Sequence, residues 1–391
     1  MMTDINTNCH FPVSTLLNAD TPAYYYDMNL LGRTLDEIKR QIEGYPYRVH
    51  YAVKANSNPR ILKHIASSAL GADLVSGGEI QASLEAGFKP GEMTYSGVGK
   101  RDWEIRLGLT HDIGCFNVES VPEIEVINEI AQEMGTTAHI AIRTNPDIDA
   151  HTHKYITTGT ADNKFGIPIE ALDDVVNQAL AMPNIHLKGL HFHIGSQITQ
   201  MQPYMMLCET VNRLLDHFDG MGIHFEMVNV GGGLGIDYSD PDAHEIADFK
   251  EYFDIFKRHL KLRPGQLLHF ELGRAVVAQC GSLISRVLYV KESRNKKFAI
   301  LDAGMNDLIR PALYNASHLI QNLTSTERDT TACYDVVGPV CESSDVFARN
   351  YRLPLTRRGD LVAIRSAGAY GESMASCYNM RSMPHIIYND K

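Results

Sequence analysis

Between about residues 28 and 272 the chain alternates short runs of β-prone residues with amphipathic stretches of helical period. That alternation limits its possible folds more than any other feature. The β-runs read from sequence are 47–54, 72–75, 93–96, 113–118, 139–143, 186–193, 225–231 and 267–272. Apolar positions three or four apart mark the stretches between most of them: 61–69, 80–86, 121–134, 169–181 and 204–221. Eight strands alternating with helices over this length predict an α/β fold, a (β/α)8 barrel of the TIM type. A dinucleotide-binding sheet needs fewer strands and a glycine-rich turn near its start, and that turn is absent.

The alternation inside the runs points the same way. In His139-Ile-Ala-Ile-Arg143 the isoleucines face one side, and His139, Ala141 and Arg143 face the other. Phe270 and Leu272 oppose His269 and Glu271, while Val228 and Val230 oppose Asn229 and Gly231. Polar groups from several strands are thus expected on the barrel lining near the carboxyl ends, where active sites of this fold lie.

Beyond Arg274 the alternation stops. Residues 276–291, 297–302, 334–337 and 361–365 read as strands, with one short helical stretch at 306–309. The expected domains are an N-terminal segment 1–27, a barrel 28–272 and an all-β domain 273–391. The run Ala23-Tyr-Tyr-Tyr-Asp27 is expected to add a strand to the all-β domain. A length of 391 residues exceeds the usual size of one hydrophobic core, which agrees with two domains.

Net charge of −11, without a dense Lys/Arg run, argues against a nucleic-acid binder. No apolar run is long enough to span a bilayer, and Met1-Met-Thr-Asp-Ile-Asn6 lacks the features of a signal peptide. Seven scattered cysteines without a CxxC pair suggest neither a disulfide framework nor a zinc site. A reducing cytoplasm is the expected compartment, and no metal is expected.

Five places carry chemistry. In Tyr47-Arg-Val-His-Tyr-Ala-Val-Lys54 a lysine arrives at the carboxyl end of a strand, where a desolvated amine could attack an aldehyde; a plain surface lysine is an equal reading. Gly231-Gly-Gly-Leu-Gly235 follows the seventh strand and can form an anion nest, although glycine-rich turns are common. His191 and His193 share a face. They suit a metal site with too few ligands, a ring stacked on a flat cofactor with Ser196 nearby, or simply buried histidines. Glu271 needs a cation or donors to stay charged on a barrel lining, and Arg274 is either its structural partner or an anion ligand. Cys341 follows a Gly-Pro turn beside Glu342 and could donate a proton. Arg310, Tyr314 and Tyr370 offer a guanidinium and two phenols, for which packing is the plainer role.

Taken in order along the chain, eight motifs resemble one family. They are Tyr51-Ala-Val-Lys-Ala-Asn56, Asp73-Leu-Val-Ser-Gly-Gly-Glu79, His191-Phe-His-Ile-Gly-Ser-Gln197, Gly231-Gly-Gly-Leu-Gly235, Glu271-Leu-Gly-Arg274, Arg310-Pro-Ala-Leu-Tyr314, Cys341-Glu-Ser-Ser-Asp345 and Gly368-Ala-Tyr-Gly371. The family is the alanine racemase-like, fold type III pyridoxal-phosphate decarboxylases, and the likeness is nearest to members acting on meso-2,6-diaminopimelate. The resemblance implies that Lys54 binds the aldehyde of pyridoxal 5'-phosphate and that His193 stacks on its ring. It further implies that Ser196, Gly232, Gly233 and Gly235 hold the phosphate, that Gly273 and Arg274 also bind the cofactor, and that Glu271 pairs with the ring nitrogen. Arg274, Arg310, Tyr314, Glu342 and Tyr370 match substrate contacts, Tyr370 also lying near the cofactor, and Cys341 matches the proton donor. It implies a homodimer with shared sites and no nucleic-acid or membrane partner. Sister enzymes acting on ornithine, arginine or carboxynorspermidine are the alternative. The chain departs from the family at Tyr95-Ser-Gly-Val-Gly-Lys100, at Ser344, at Glu372 and at Cys377.

Overall fold

The structure, a computed structural model, describes residues 11–148 and 164–389. Eight parallel strands form a closed barrel: Tyr47–Ala52, Gly71–Leu74, Met93–Tyr95, Cys115–Val118, Ala138–Asn145, Ile185–His191, Met227–Asn229 and Leu267–Leu272. Each pairs with the next, and the eighth returns to the first with Glu271 opposite His50. The TIM-type barrel expected from the alternation is therefore present. Several strands end earlier than the sequence indicates: the first at Ala52, the sixth at His191 and the seventh at Asn229.

Capping residues placed just after the strands set where the helices begin. Asn58 accepts the Arg60 N–H at 3.0 Å, and Pro59 occupies the first turn of helix Pro59–Ala66. Ser76 and Ser120 do the same for Gly77–Ala86 and Val121–Glu133 through the Glu79 and Glu123 N–H groups. Each connection is thus short, and the strand carboxyl ends are left to carry side chains at the rim.

The outward strand face packs on the helices. Phe270 is fully buried among Tyr47, Tyr252, Phe253 and Phe256, with ring centroids 4.9–5.7 Å away. Inside the barrel, Cys115, Ala141 and Met227 make an apolar plug below the polar end.

Among the described residues, a second unit comprises 11–31, Asp237–Glu245 and 277–389; the barrel unit holds those within Gly32–Ile236 and Ile246–Val276. Its sheet runs Ile320–Asn322, Leu361–Ile364, Gly281–Glu292, Lys297–Leu301, Thr331–Val337, Val346–Pro354. Ala23–Asp27 pairs antiparallel with Gly281–Glu292 and parallel with His385–Asn389, so the N-terminal strand completes this sheet as expected. Of the segment 1–27, residues 1–10 lie outside the described residues. The short helix expected at 306–309 is instead a turn anchored by Asp307, whose carboxylate accepts the Gly304 N–H at 2.8 Å. The helix follows at Arg310–Tyr314, started by Pro311. Among the described residues no helix is long and apolar enough to cross a membrane.

Emptying the aromatic cluster should cost the barrel dearly. Phe270→Ala is expected to lower unfolding free energy by about 3–5 kcal/mol in a urea titration, and a loss below about 1 kcal/mol would contradict the packing described.

Candidate active site

The polar end of the barrel is organised around one buried carboxylate. Glu271 Oε1 accepts Asn229 Nδ2 at 2.6 Å and Asn117 Nδ2 at 2.8 Å, and its Oε2 lies 3.0 Å from His191 Nε2. The four residues come from four different strands. Burial pushes the Glu271 carboxyl up, but the charge and hydrogen bond of His191, followed by the charge of Lys54, outweigh it and hold it well below the usual range. Glu271 is ionised in the barrel.

From Asn117 the network continues outward. Its amide also donates to Ser96 Oγ at 2.9 Å, and Ser96 donates to Asp73 Oδ1 at 2.8 Å. Asp73 Oδ2 then lies 3.7 Å from Lys54 Nζ. Burial first, and the charge of Glu271 second, raise the Asp73 carboxyl to about 7. Two carboxylates share one barrel with their proton affinities driven apart, the arrangement by which acid and base roles become separated.

Lys54 does not end the strand as the alternation suggests. It sits two residues beyond Ala52, on the single 3-10 turn Val53–Ala55. Tyr51 holds the turn by donating its hydroxyl to Asn56 O at 2.8 Å, and Asn56 Oδ1 accepts the Asn58 N–H at 2.9 Å. The Lys54 side chain keeps 41% of its surface, so the desolvation expected of a strand-end lysine is incomplete here. Gly273 faces this turn, because a Cβ there would lie 3.0 Å from that of Ala55.

Across the rim lies the glycine loop. Gly231 and Gly233 have φ of +68° and +100°, and a Cβ at Gly232 would sit 1.8 Å from Glu271 O. Only glycine lets this loop lie against the eighth strand. The anion nest is partly occupied by the protein itself: Gly231 N–H goes to Asn229 Oδ1, Gly232 N–H to His193 Nδ1 and Gly235 N–H to Ile198 O. Beside it, Arg274 donates to Ser196 Oγ at 3.0 Å, bringing a buried guanidinium and a hydroxyl to the same loop. Burial, then the cations of Arg143 and Lys54, depress His193 well below its usual value, so its ring is neutral. His193 lies just past the sixth strand, while His191 is engaged through Nε2 with Glu271.

These groups suit pyridoxal phosphate. An amine for the aldehyde, a neutral imidazole, a buried anion and an arginine–serine–glycine cradle stand on one rim.

The remaining candidates lie in the second unit. Arg310 is buried, its Nη1 2.7 Å from His318 Nε2 and its guanidinium 4.4 Å over the Tyr238 ring. Tyr314 ends the helix that Arg310 begins, and half-buried Tyr370 takes φ +57°. Cys341 and Glu342 are exposed on a loop, where Glu342 Oε1 accepts the Tyr378 hydroxyl at 2.6 Å. Glu372, atypical by resemblance, accepts the Tyr26 hydroxyl at 2.6 Å.

Reasoning from sequence missed Asp73, Ser96, Asn117 and Asn229 as members of the site. The signal was available: each of Asp73, Asn117 and Asn229 is a lone polar residue between apolar neighbours in a short buried strand. Arg143, expected on the lining, was given no role. It pairs with Glu119 at 3.1 Å and lies 4.6 Å over the Phe165 ring.

Comparison with known proteins adds an independent line. Residues 29–278 match the family model described as pyridoxal-dependent decarboxylase, pyridoxal binding domain. The chain is 57% identical to the diaminopimelate decarboxylase of Bacteroides thetaiotaomicron over 97% of its own length and 98% of that protein. It is 43% identical to that of Vibrio cholerae, over 95% of this chain and 88% of the relative. The crystal structure of diaminopimelate decarboxylase from Helicobacter pylori complexed with L-lysine superposes with a TM-score of 0.91 at 40% identity, covering 97% and 94% of the two chains.

The Asp73 carboxyl gives a measurable pH dependence. Its folded value near 7 exceeds the ordinary 3.8, so between these limits the folded chain holds a proton that the unfolded chain has released. Stability therefore falls as pH rises through that window. Glu271, shifted downward, contributes stability that is lost only as pH falls below its ordinary 4.5. In cofactor-free protein, Asp73→Asn should flatten the decline between pH 4.5 and 7 seen by urea unfolding. A variant profile parallel to the parent's would exclude Asp73 as its source.

Proposed function

The chain belongs to the pyridoxal-dependent decarboxylase family, and on that premise we propose that it converts meso-2,6-diaminopimelate to L-lysine and CO2. The observation that carries this reading is the buried Glu271 carboxylate, held by Asn117, Asn229 and His191 and joined through Asn117, Ser96 and Asp73 to Lys54.

Bound pyridoxal phosphate supplies an electron sink for the pair left behind when CO2 departs. Lys54 would hold its aldehyde, and Ser196, Arg274, Gly232, Gly233 and Gly235 its phosphate, with Gly273 leaving room at the rim. His193 would cover one ring face, adding no charge because it is neutral. Glu271 would keep a proton on the ring nitrogen, since its own carboxylate is too acidic to take that proton away. Asp73, titrating near neutrality, can receive or return a proton beside the Lys54 amine.

A substrate with a second amino-acid head needs a cation and an anion at its far end. Arg310, pinned by His318 and Tyr238, and Glu342, held by Tyr378, supply that pair. Tyr314 and Tyr370 add phenolic contacts, and Cys341 delivers the proton that replaces CO2. We further read the working form as a homodimer in which the Cys341 loop of one subunit serves its partner's barrel. The setting is cytoplasmic, in keeping with six unpaired cysteines among the described residues.

Purified protein loaded with pyridoxal phosphate and offered a panel of diamino acids tests the assignment. Lysine and CO2 should form from meso-diaminopimelate, and preferential turnover of ornithine would move the substrate elsewhere. Lys54→Ala should abolish both turnover and the near-visible absorption of the lysine-bound cofactor. Cys341→Ala should slow turnover by about 10²–10⁴-fold with that absorption intact; undiminished turnover would remove Cys341 from its role.

A further inference from the structure

The loop carrying Cys341 and Glu342 is fastened from two sides. Within the second unit Asp345, 3% exposed, accepts the Met305 and Val340 N–H groups, both at 2.7 Å. A Cβ at Gly338 would lie 2.4 Å from Asp345 Oδ2, so the chain enters the loop over glycine. The other fastening is the turn Tyr378–Met380. Asn379 Oδ1 accepts the Cys341 N–H at 3.1 Å, and the Tyr378 hydroxyl donates to Glu342 Oε1 at 2.6 Å. Two neighbouring residues of one segment thus grip two neighbouring residues of the other.

The backbone of the turn is unusual. Asn379 and Met380 are consecutive left-handed residues at φ +55° and +58°, and the Met380 side chain is 98% exposed. Burial of Met380 therefore contributes nothing to holding the turn, and such conformations persist where other contacts over-determine them. The hydrogen bond to Glu342, and next its charge, raise the Tyr378 hydroxyl above its ordinary value of 10, so it stays a donor. That bond is made to Oε1 of the carboxylate.

We infer that Tyr378 and Asn379 are positioning residues, Asn379 for the Cys341 thiol and Tyr378 for the Glu342 carboxylate. This rests on the reading of Cys341 as proton donor and Glu342 as the grip on the distal substrate head. The two effects separate kinetically. Loss of the Tyr378 hydroxyl frees the carboxylate that binds substrate, whereas loss of the Asn379 carbonyl frees the backbone that aims the thiol.

The experiment measures kcat, KM and cofactor absorption for the loaded enzyme and six variants. Tyr378→Phe should raise KM for meso-diaminopimelate about tenfold with kcat within about twofold. Asn379→Ala should lower kcat about tenfold with KM within about twofold, and Asn379→Asp, which keeps an acceptor oxygen, should restore it. Asn379→Ala should add no further loss in a Cys341→Ala background. Normal kinetics in Cys341→Ala and Glu342→Gln would overturn the parent reading. Impaired parents with an unaltered Tyr378→Phe and Asn379→Ala would overturn the positioning inference alone. So would an equal loss of kcat, cofactor absorption and melting temperature in both, because that pattern reports general unfolding.

Discussion

A negative charge kept inside the barrel is the interaction on which the site depends. An isolated buried carboxylate is costly enough that it would normally take up a proton. Glu271 escapes this because Asn117, Asn229 and His191 all direct donors at it, from the fourth, seventh and sixth strands, while it stands on the eighth. The charge therefore survives only in a barrel that is closed and in register. Slipping any of these strands by one residue would turn its polar side chain outward and an apolar one inward. Fold closure and site electrostatics are one constraint viewed at two scales.

The charge of Glu271 then orders its surroundings. Asp73 shares the lining, and with burial already raising its carboxyl, the neighbouring anion keeps it close to neutrality. Lys54 sits between them electrostatically, lowering both. His193 is depressed by burial and by Arg143 and Lys54, so it presents an uncharged ring. The rim thus holds one firm anion, one group poised near pH 7 and one neutral imidazole, although the composition of these strands offers only ordinary residue types. Their differences come from geometry.

How far this was legible depends on the distance over which each feature is encoded. The barrel was readable because its signal is local and repeated: a polar lining residue between apolar neighbours, then a capping Asn or Ser that starts the next helix. Lys54 and His193 were identified as residues but assigned to the strand ends, whereas each lies two residues past its strand, because the strand ends where pairing stops, at Ala52 and His191, and not where β-prone residues run out. The donors to Glu271 were harder, since their meaning lies in partners 42 to 154 positions away. In the second unit, Val346–Pro354 escaped notice because bulges against Thr331–Val337 break the period of two and its outward residues are charged. Asp237–Glu245 groups with that unit through contacts such as Arg365 with Asp242 at 2.7 Å, which no local pattern announces.

The two sets of candidate residues are held by different physics, and this bears on what each can do. Glu271, Asp73 and their donors are buried on strands or, for Ser96, just past one, where moving one side chain breaks several bonds and strands a charge. Cys341, Glu342 and Tyr378 are exposed on loops tied by single side-chain bonds, where a change costs little stability. Apart from the proton proposed to come from Cys341, chemistry shared by every substrate of such a barrel would belong with the first set, where adjustment is costly. Discrimination among distal groups belongs with the second, since a loop can be retuned without disturbing the buried anion. The departures from the family at Ser344 and Cys377 fall on this adjustable loop pair, and the one at Glu372 shortly precedes it. By that division these three would modulate selectivity, whereas the departure at 95–100 includes Ser96 and reaches the Glu271 network itself.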